Sequence, residues 1–478
     1  MKRLFGTLAA GAVFLSACDT APIADAPLET TAAPVSPLAS LAGPDLASVQ
    51  TEGGTYLALT RGSSLARLTA AVEAKGGEVT FSHAGVGFAV IEGITEATAS
   101  ELTASRLVTD IQEDFVIPME VPEAGTPEAA QIASPGNPAE ASLYARQWNM
   151  RAIGADKAWA AGRTGSSDVT VAILDTGIDY EYPDLQGRVD LSRSISFIPM
   201  DDLYTAFYFP SKHPVTDLGF HGTHVAATVA SNGFVAAGVT SQTTLMGVKV
   251  CGVIQGGCPG SAVFSGLLHA ADNGADVINM SLGGRFDKSD LAQAGFGSYV
   301  GYLNRLFNYV RRQGVTVVVS AGNDAFDLDH DGDGYKTYCD TPGVVCVSAT
   351  GPTARASVNG PWQNVDAPAV YTNYGRSAIT VAAPGGNSGA GVAAACSQTS
   401  LTIPICQTGN YFITISGTSM AAPHVSGLAA LLVEDLGKSP SRVANQLMRS
   451  ADDLGPRGTD PYYGKGRINV ARALGLGA

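Results

Sequence analysis

The chain has 478 residues, of which 45% are hydrophobic and 15% are charged, and its formal net charge is −14. This length exceeds what a single hydrophobic core usually organises, so two or more folded units are expected. The acidic balance argues against nucleic acid as a partner, and only the first few residues resemble a membrane-directed segment.

The N-terminus has the pattern of an export signal. A basic start, MKR, precedes an apolar run over residues 4–12 that is too short to span a membrane. Residues 15–18, LSAC, resemble a bacterial lipobox, which predicts removal of residues 1–17 and lipid attachment to Cys18. The alternative is an ordinary signal peptide with an incidental cysteine. A lipid on Cys18 would tether the protein to a membrane without spanning it, and Asp19 resembles an inner-membrane retention signal.

Residues 18–142 divide into a tether, a small folded unit and a linker. Residues 18–54 are rich in Ala, Pro, Thr and Ser and predict a disordered tether, whereas residues 121–142 are rich in Pro, Ala and Glu and predict an accessible linker. Between them, residues 55–120 predict strands at 56–59, 78–81, 87–91 and 108–117, and helices at 65–74 and 95–105. This β-α-β-β-α-β order is that of a small α+β, ferredoxin-like unit.

From residue 143 to 478 the composition is that of one large core. Continuous apolar runs predict buried strands at 169–174, 245–250, 277–280, 315–319, 344–347 and 379–382. Helices are predicted between or after them at 221–231, 261–273, 291–312 and 420–436. Strands buried on both faces that alternate with helices predict a parallel sheet in an α/β domain, whose functional residues gather at the carboxyl ends of the strands.

Four polar residues stand at these strand ends or helix starts. Asp175 closes the first strand, His221 opens a helix, Asn323 follows a strand, and Ser419 lies in a Gly-Thr-Ser turn before an apolar helix. Each could be only structural, as a turn or helix cap. Together they offer an acid, a base, an amide donor and a nucleophile in the order Asp, His, Ser. A metal pair of His221 with the histidine three residues on is discounted, because no acidic residue stands at zinc-helix spacing.

Three long motifs carry a family resemblance. They are VAILDTGI at 171–178, HGTHVA at 221–226 and GTSMAAPH at 417–424, with Pro423 within about the first turn of its helix. YG at 374–375, APG at 383–385 and QW at 147–148 add to it. The chain resembles the subtilisin-like serine proteases from residue 144 to its C-terminus. Sedolisins share the Gly-Thr-Ser motif, but the Asp and His motifs are those of subtilases.

The resemblance implies a role for each matching residue. Ser419 would be the nucleophile, His221 the general base and Asp175 the group that orients it, while Asn323 and the backbone N–H of Ser419 would form the oxyanion hole. The segments implied to bind substrate are Ser281, Leu282, Gly283, Gly284, Ser320, Ala321 and Gly322. Their glycines suggest an open pocket for a sizeable apolar P1 side chain. The residue at the base of that pocket is not assigned, because the chain departs from the family there.

The departure is an acidic loop that predicts a structural calcium ion. Read from Asp329, it nearly matches an EF-hand-type loop, D-x-D-x-D-G followed by Asp340, where the usual residue is Glu. A second register starts at Asp327, and the alternative is a solvated acidic loop without a metal. No organic cofactor is expected. The candidate calcium ligands are Asp327, Asp329, Asp331, Asp333 and Asp340.

Export permits disulfides, and six cysteines remain besides Cys18. Fifteen pairings are possible, but the cysteines fall into three close pairs, and local bridges are the simplest expectation. A zinc site is not favoured because no C-x-x-C spacing occurs. The expected disulfides are Cys251–Cys258, Cys339–Cys346 and Cys396–Cys406.

The sequence thus predicts an exported serine endopeptidase with a three-layer, parallel-sheet α/β catalytic domain at 143–478. Residues 55–120 resemble the inhibitory prodomain of subtilases. Self-cleavage within about 121–142 would then activate the enzyme and separate it from a lipid on Cys18 in the cell envelope. The expected partners are polypeptide substrates and the protein's own prodomain. The alternatives are a catalytically silent, calcium-dependent binding module and a peptide-ligating or processing subtilase.

Overall fold

The computed structural model describes residues 43–44, 53–119, 125–133, 136–287, 299–330, 332 and 334–477. The chain divides into residues 1–40 and residues 41–478, and every described residue belongs to the second unit. The predicted signal peptide and Cys18 therefore lie outside the described residues. Among the helices that are described, none is long and apolar enough to cross a membrane.

A small N-terminal unit, residues 54–113, has two helices and one four-stranded sheet. The strands lie in the antiparallel order β2-β3-β1-β4, which confirms the predicted ferredoxin-like arrangement. The elements in chain order are β1 (Gly54–Leu59), α1 (Leu65–Glu73), β2 (Glu78–His83), β3 (Phe88–Ile94), α2 (Glu96–Ala104) and β4 (Asp110–Glu113).

The sheet of this unit is apolar on both faces. Side chains of a strand alternate between faces, so Tyr56 and Ala58 pack against the unit's own helices, while Leu57 and Leu59 join the core of the large domain. The second face of the unit is therefore buried against the rest of the chain.

The chain that follows the N-terminal unit pairs twice with the large domain. β5 (Val116–Ile117) runs antiparallel to Cys258–Pro259, and β6 (Glu128–Ala129) pairs antiparallel with the strand Tyr411–Ile415. Part of the predicted linker is thus held in extended conformation on the domain surface.

The large domain is built on a seven-stranded parallel sheet in the order β18-β15-β13-β11-β7-β9-β8. Its strands, together with the small accessory strands, are β7 (Thr170–Asp175), β8 (Ile195–Ser196), β9 (Thr244–Lys249), β10 (Cys258–Pro259), β11 (Val277–Met280), β12 (Arg285–Asp287), β13 (Thr316–Ser320), β14 (Gly334–Lys336), β15 (Val345–Thr350), β16 (Ala354–Arg355), β17 (Trp362–Gln363), β18 (Val381–Pro384), β19 (Val392–Ala395) and β20 (Tyr411–Ile415).

Helices cover both faces of this sheet and make the predicted three layers. Val171 and Ile173 of β7 face one core with the helix that begins at Thr418, while Ala172 and Leu174 face the other core. The helices are α3 (Trp148–Ala152), α4 (Ala155–Ala160), α5 (Pro199–Tyr208), α6 (His221–Val229), α7 (Gly260–Asp272), α8 (Tyr299–Arg312), α9 (Thr418–Leu436), α10 (Pro440–Ser450) and α11 (Val470–Ala473).

All six predicted core strands are present, and each is displaced by two residues or fewer at its start. The edge strand β8 was not predicted, because two residues carry too little periodicity to read. The three local disulfides are present as expected, with Cα–Cα distances of 4.1, 5.2 and 6.0 Å.

The two residues that directly follow the N-terminal unit supply hydrogen-bond partners to a helix of the large domain. The first N–H groups of an α-helix lack partners within the helix. In α7, Gly260 N donates to Phe115 O at 2.8 Å, and Ser261 N donates to Asp114 Oδ1 at 2.9 Å. The Ser261 hydroxyl donates to the other carboxylate oxygen. Burial at this interface raises the pKa of Asp114 to about 6, although the bonds from Ser261 act in the opposite direction.

Docking of the N-terminal unit should strengthen in acid. An aspartate in water has a pKa of about 4, so the docked state holds more protons between about pH 4 and pH 6. The favourable contribution is complete below about pH 4 and is lost as the pH rises through about 6. The change is at most about a hundredfold in the dissociation constant, since one pKa unit corresponds to a tenfold change.

Size-exclusion chromatography of a chain cut once within residues 121–142 tests this expectation. More complex should survive at about pH 5 than at about pH 7.5, and Asp114→Asn should remove the difference. Glu113→Gln, at the exposed neighbouring position, is the matched control. An unchanged pH response in Asp114→Asn would contradict the assignment.

Candidate active site

Asp175 and His221 form a buried hydrogen-bonded pair. Asp175 is the last residue of β7 and His221 is the first residue of α6. His221 Nδ1 lies 2.8 Å from Asp175 Oδ1, which also accepts the N–H of Thr176. Both side chains are at most 1% exposed. Such a carboxylate can fix the imidazole ring and stabilise its protonated form.

A second carboxylate, Asp217, fixes the start of α6. Its Oδ1 accepts from the Thr176 hydroxyl and its Oδ2 accepts from both the N–H and the hydroxyl of Thr223. Gly222 N donates to the Thr176 hydroxyl at 3.0 Å. The helix that carries His221 is thereby tied to the end of the strand that carries Asp175. Burial raises the pKa of Asp217.

Ser419 lies in the first turn of α9, which begins at Thr418. The sequence analysis placed Pro423 within about the first turn, but it is the sixth helical residue. Because proline has no N–H, Ser419 O receives no i+4 backbone bond. The hydroxyl of Ser281 donates to Ser419 O at 2.8 Å instead. Ser281 in turn accepts from Asn279 of β11 at 2.9 Å.

The nucleophile candidate and the base candidate are not hydrogen-bonded to each other in this structure. The hydroxyl of Ser419 donates to Ser281 O at 3.2 Å. His221 Nε2 is buried and has no hydrogen-bond partner among the described residues. Hydrogen bonds of this kind are often long or misaligned without substrate, so the geometry does not exclude the pair.

Asn323 is oriented by α9 and by a buried asparagine. Its Oδ1 accepts both the N–H and the hydroxyl of Thr418 at 2.9 Å. Nδ2, at the other end of the same amide group, therefore faces away from Thr418. Asn373 supports the loop, since its Nδ2 donates to Ala321 O and its N–H donates to Gly322 O. The loop therefore holds Asn323 beside the N-terminus of α9.

These residues meet at one edge of the sheet. Asp175 ends β7, Ser281 follows β11 and Asn323 follows β13, and these three strands are neighbours. The contacts of Thr418 and Ser419 bring the start of α9 to the same edge. A nucleophile, a base, its orienting acid and an amide donor are the set that acyl transfer requires.

Comparison with known proteins identifies the family. The model described as Subtilase family, Peptidase S8, matches residues 166–466. The chain belongs to the subtilase family. Its relatives are serine proteases, and family membership supports serine endopeptidase activity.

Three curated relatives cover most of the large domain. Thermitase from Thermoactinomyces vulgaris is 32% identical over 340 residues, which are 70% of this chain and 99% of thermitase. Subtilisin DY from Bacillus licheniformis is 33% identical over 325 residues, 67% of this chain and 96% of that protein. A thermophilic serine proteinase from Bacillus sp. strain AK1 is 31% identical over 322 residues, but this chain covers only 64% of it.

Solved structures share the fold over more of the chain. The epidermin leader peptide processing serine protease of Staphylococcus aureus has a TM-score of 0.65 at 20% identity, covering 89% of this chain and 98% of its own. Fervidolysin from Fervidobacterium pennivorans has a TM-score of 0.65 at 23% identity, covering 88% and 61%. A lanthipeptide protease has a TM-score of 0.56 at 24% identity, covering 70% and 96%. At these identities the likeness concerns the fold alone.

The predicted substrate segments of this subtilase flank Ser419. Five of the seven predicted residues line the pocket, while Ala321 is buried and donates its N–H to Val347 O. Gly284 is outside the pocket lining, and Ile117 Cγ2 lies 3.1 Å from where a Gly284 Cβ would be. The described pocket-lining residues are Ser281, Leu282, Gly283, Ser320, Gly322, Asn323, Lys336, Thr418 and Ser419.

The chain's own residues 116–119 lead from Gly284 to the surroundings of His221. β5 adds to β10 as a short antiparallel strand, the mode by which extended peptides bind an open edge. Two residues further on, Met119 lines a cavity of about 170 Å³ together with Phe220 and His221. The segment after the N-terminal unit therefore reaches the candidate base.

Two other histidines near the site are structural. Burial lowers the pKa of His224 to about 3 and that of His424 to about 4, so both are neutral at physiological pH. His224 Nε2 lies 3.1 Å from Val392 O, and His424 lies between Asn149 and Met420 O at 2.8 Å each.

The described part of the acidic loop does not form the predicted calcium ligand set. The Asp329 carboxylate accepts the N–H groups of Arg376 and Ser377 and the Ser377 hydroxyl, and Asp340 accepts the N–H of Lys336. These oxygens fasten backbone rather than converge on one point. No three His, Cys, Asp or Glu side chains within the described ranges form a metal cluster. Asp331 and Asp333 lie outside the described residues.

Sequence reasoning missed the residues that support the site. Asp217, Asn279 and Asn373 lie within ordinary-looking segments, and no local motif marks them. Lys336 was missed because it follows the acidic loop in a part of the chain that departs from the family. Only the contacts that these residues make with distant parts of the chain show that they support the site.

Replacing Asp217 should impair both folding and catalysis. Asn offers one acceptor oxygen where the carboxylate offers two, so either Thr176 or Thr223 loses its acceptor. We expect Asp217→Asn to lower the free energy of unfolding by about 2–4 kcal/mol and kcat/KM by about 10- to 100-fold.

Asp276→Asn is the matched control for this variant. Asp276 is also buried and accepts the N–H of Thr170 at 2.8 Å, but at the opposite end of β7. It should lose stability without the loss in kcat/KM. Equal losses of kcat/KM in the two variants, measured on the folded fraction, would contradict a positioning role for Asp217.

Proposed function

We propose that this subtilase is an exported serine endopeptidase that is made as a self-inhibited, self-processed precursor. The observation that carries the catalytic part is the 2.8 Å contact between His221 and Asp175 at the sheet edge where α9 begins, with Ser419 as its second residue. In that arrangement the hydroxyl, the imidazole and the carboxylate match the acyl-transfer roles in order.

The proposed reaction forms an acyl-enzyme on Ser419. Its Oγ bonds to the peptide carbonyl carbon while His221 Nε2 accepts the hydroxyl proton. His221 then gives that proton to the leaving amine as the peptide C–N bond breaks. Water, deprotonated by His221, attacks the ester carbon. The bond from that carbon to Ser419 Oγ then breaks as His221 returns the proton to Oγ, which releases the carboxylic product and restores the free enzyme. Asp175 keeps Nδ1 protonated and Nε2 available as the base.

The developing oxyanion would be bound by Asn323 Nδ2 and by the backbone N–H of Ser419. Because Thr418 donates twice to Asn323 Oδ1, the amide orientation is fixed before substrate binds. A donor that is already oriented costs no reorganisation during the reaction. The N-terminus of α9 adds the positive end of its dipole at the same place.

Two substitutions test the catalytic proposal. A fluorophosphonate probe should label the wild-type protein and fail to label Ser419→Ala. Asn323→Ala should keep the label but lower kcat by roughly 10²–10³, a range that comes from the corresponding donor in subtilisin. Asn359→Ala, at an exposed loop position, is the control. Wild-type protein that is folded yet neither labelled nor active would favour the silent binding module instead.

The self-inhibition proposal rests on the segment between the two units. The N-terminal unit buries apolar side chains of one sheet face against the large domain, and its continuation leads Met119 to the cavity beside His221. A substrate chain would have to displace this segment. Cleavage between residues 121 and 142 would sever the covalent link, and loss of the N-terminal unit would then open the cleft.

N-terminal sequencing of the mature protein tests self-processing. We expect a new N-terminus within residues 121–142 in the wild type and an uncut chain in Ser419→Ala. Lipid attachment at Cys18 would then be found only on the released N-terminal piece. A mature, active protein that still begins at Cys18 would contradict the proposal.

A processing role is the second candidate. Two of the structural neighbours are named as a leader peptide processing protease and a lanthipeptide protease, but their identity to this chain is below 25%. They therefore support the fold and leave the substrate open. Calcium is not assigned a part in the mechanism, because the described oxygens of Asp329 and Asp340 are engaged with backbone groups.

A further inference from the structure

A short disulfide loop connects the end of β9 to the edge strand β10. Cys251 lies two residues after β9, and Cys258 is the first residue of β10. The bridge between them has a sequence separation of seven residues, and both cysteines are fully buried. The residues of this loop that line the cavity beside His221 are Gly252, Val253, Gly256 and Gly257.

The first cysteine is attached to the strand of the candidate acid. The N–H of Cys251 donates to Asp175 O at 3.2 Å, and the N–H of Val250 donates to the same oxygen at 2.9 Å. Asp175 also carries the carboxylate that contacts His221. One end of the disulfide loop is therefore fixed relative to the residues that would perform the chemistry.

The second cysteine belongs to the strand that receives the chain's own extended segment. Cys258 pairs with Ile117 of β5, and the chain then continues to Met119 in the cavity beside His221. Extended peptides bind an open strand edge in this way. A substrate that runs in the same direction would place on β10 the residues that precede its attacked peptide bond.

β10 loses its noncovalent partners when the N-terminal unit leaves. Among the described strands, β10 pairs only with β5 and does not belong to the seven-stranded sheet. The first N–H groups of α7, which follows β10 directly, donate to Phe115 and Asp114, and these two residues would leave with the unit. A two-residue strand without a partner does not hold an extended conformation by itself. The disulfide is then the covalent bond that keeps β10 beside the end of β9.

The hydrogen bonds within the loop fix its middle and do not reach β10. Asp201 of α5 accepts the N–H groups of Val253 and Ile254 at 3.1 Å. Gly252 N donates to Gly257 O at 2.8 Å across the loop. Cross-linking two residues restricts the conformations of the chain between them, so the bridge limits how far β10 can move from the site.

We propose that the Cys251–Cys258 disulfide positions substrate, because it holds β10 in place to bind, by strand addition, the residues that precede the attacked peptide bond. The inference rests on the proposed function and deepens it, since it concerns peptides that Ser419 attacks. The bridge touches no reacting atom and is a positioning element rather than a catalytic one. A strand that is already in place needs less ordering when substrate binds, so the benefit should appear in the binding of longer substrates.

Two thiobenzyl esters that share their P1 residue and their leaving group test the proposal. They are acetyl-Ala-Ala-Pro-X and acetyl-X, where X is the P1 residue that the processed wild-type enzyme accepts best. Only the longer ester extends to β10. In Cys251→Ala/Cys258→Ala we expect the long-to-short ratio of kcat/KM to fall by about tenfold through a higher KM for the long ester. The kcat/KM of the short ester should stay within about twofold of the wild-type value.

Cys339→Ala/Cys346→Ala is the matched control. This bridge has the same sequence separation of seven residues, but Cys339 Sγ lies 3.6 Å from the carbonyl oxygen of Ser320, which lines the pocket beside Ser419. Both esters carry the same residue into that pocket. The control variant should therefore change the two esters alike and leave their ratio unchanged, as would any general loss of stability.

Fluorophosphonate labelling of Ser419 counts the folded, active molecules of each variant. If Cys251→Ala/Cys258→Ala does not fold, the wild-type enzyme is assayed before and after reduction by dithiothreitol, with the reduced cysteines identified by mass spectrometry, and the same fall in the ratio is expected. An unchanged ratio in the folded variant, or in wild-type enzyme with this bridge reduced, would overturn the inference and leave the protease assignment intact. Folded wild-type protein that is neither labelled nor active would overturn both.

Discussion

The geometry of the candidate active site depends on which groups form hydrogen bonds with the backbone at strand ends and helix starts. A parallel sheet places these ends together, and the first turn of each helix leaves N–H groups without partners. Here buried or half-buried side chains accept hydrogen bonds from those N–H groups: Asp217 at α6, Asn323 at α9 and Asp114 at α7. The same bonds that satisfy the backbone also orient His221 and the start of α9. Stability and catalytic geometry are therefore properties of one polar network.

Pro423 shows how this network arises from a local defect. A proline inside α9 removes the bond that Ser419 O would receive, and the Ser281 hydroxyl fills that vacancy. Asn279 then holds Ser281 from below and accepts the hydroxyl of Ser426. The pocket segment that contains Ser281 is thus bonded to the first turn of α9 through the carbonyl of Ser419. In a helix without proline this carbonyl would accept a backbone N–H of the same helix.

The sequence predicted the core strands of the large domain better than it predicted the residues that support the candidate site. Long apolar runs identified six core strands because burial on both faces leaves an unmistakable pattern. The strand-end rule and the motifs predicted Asp175, His221, Asn323 and Ser419 as site residues, and the structure brings these four to one edge of the sheet. Asp217 and Asn373 could not be recognised, because their partners lie in other segments and a buried Asp or Asn has no local signature. The calcium prediction for the acidic loop failed in the described residues for the same reason. The carboxylate of Asp329 accepts backbone N–H groups that lie 47 and 48 residues further along the chain, which the local sequence does not show.

Around residue 336, where the sequence departs from the family pattern, the chain forms a rigid ribbon that carries Lys336. A ribbon formed by β12 and β14, hydrogen-bonded through Thr337 to Gly284 and followed by the disulfide Cys339–Cys346, lies beside the pocket. Such rigidity is what a buried ammonium needs, because a mobile lysine would turn to water and lose its position. The carboxylate of Asp324, whose Oδ2 lies 3.6 Å from Lys336 Nζ, lowers the cost of burying this charge.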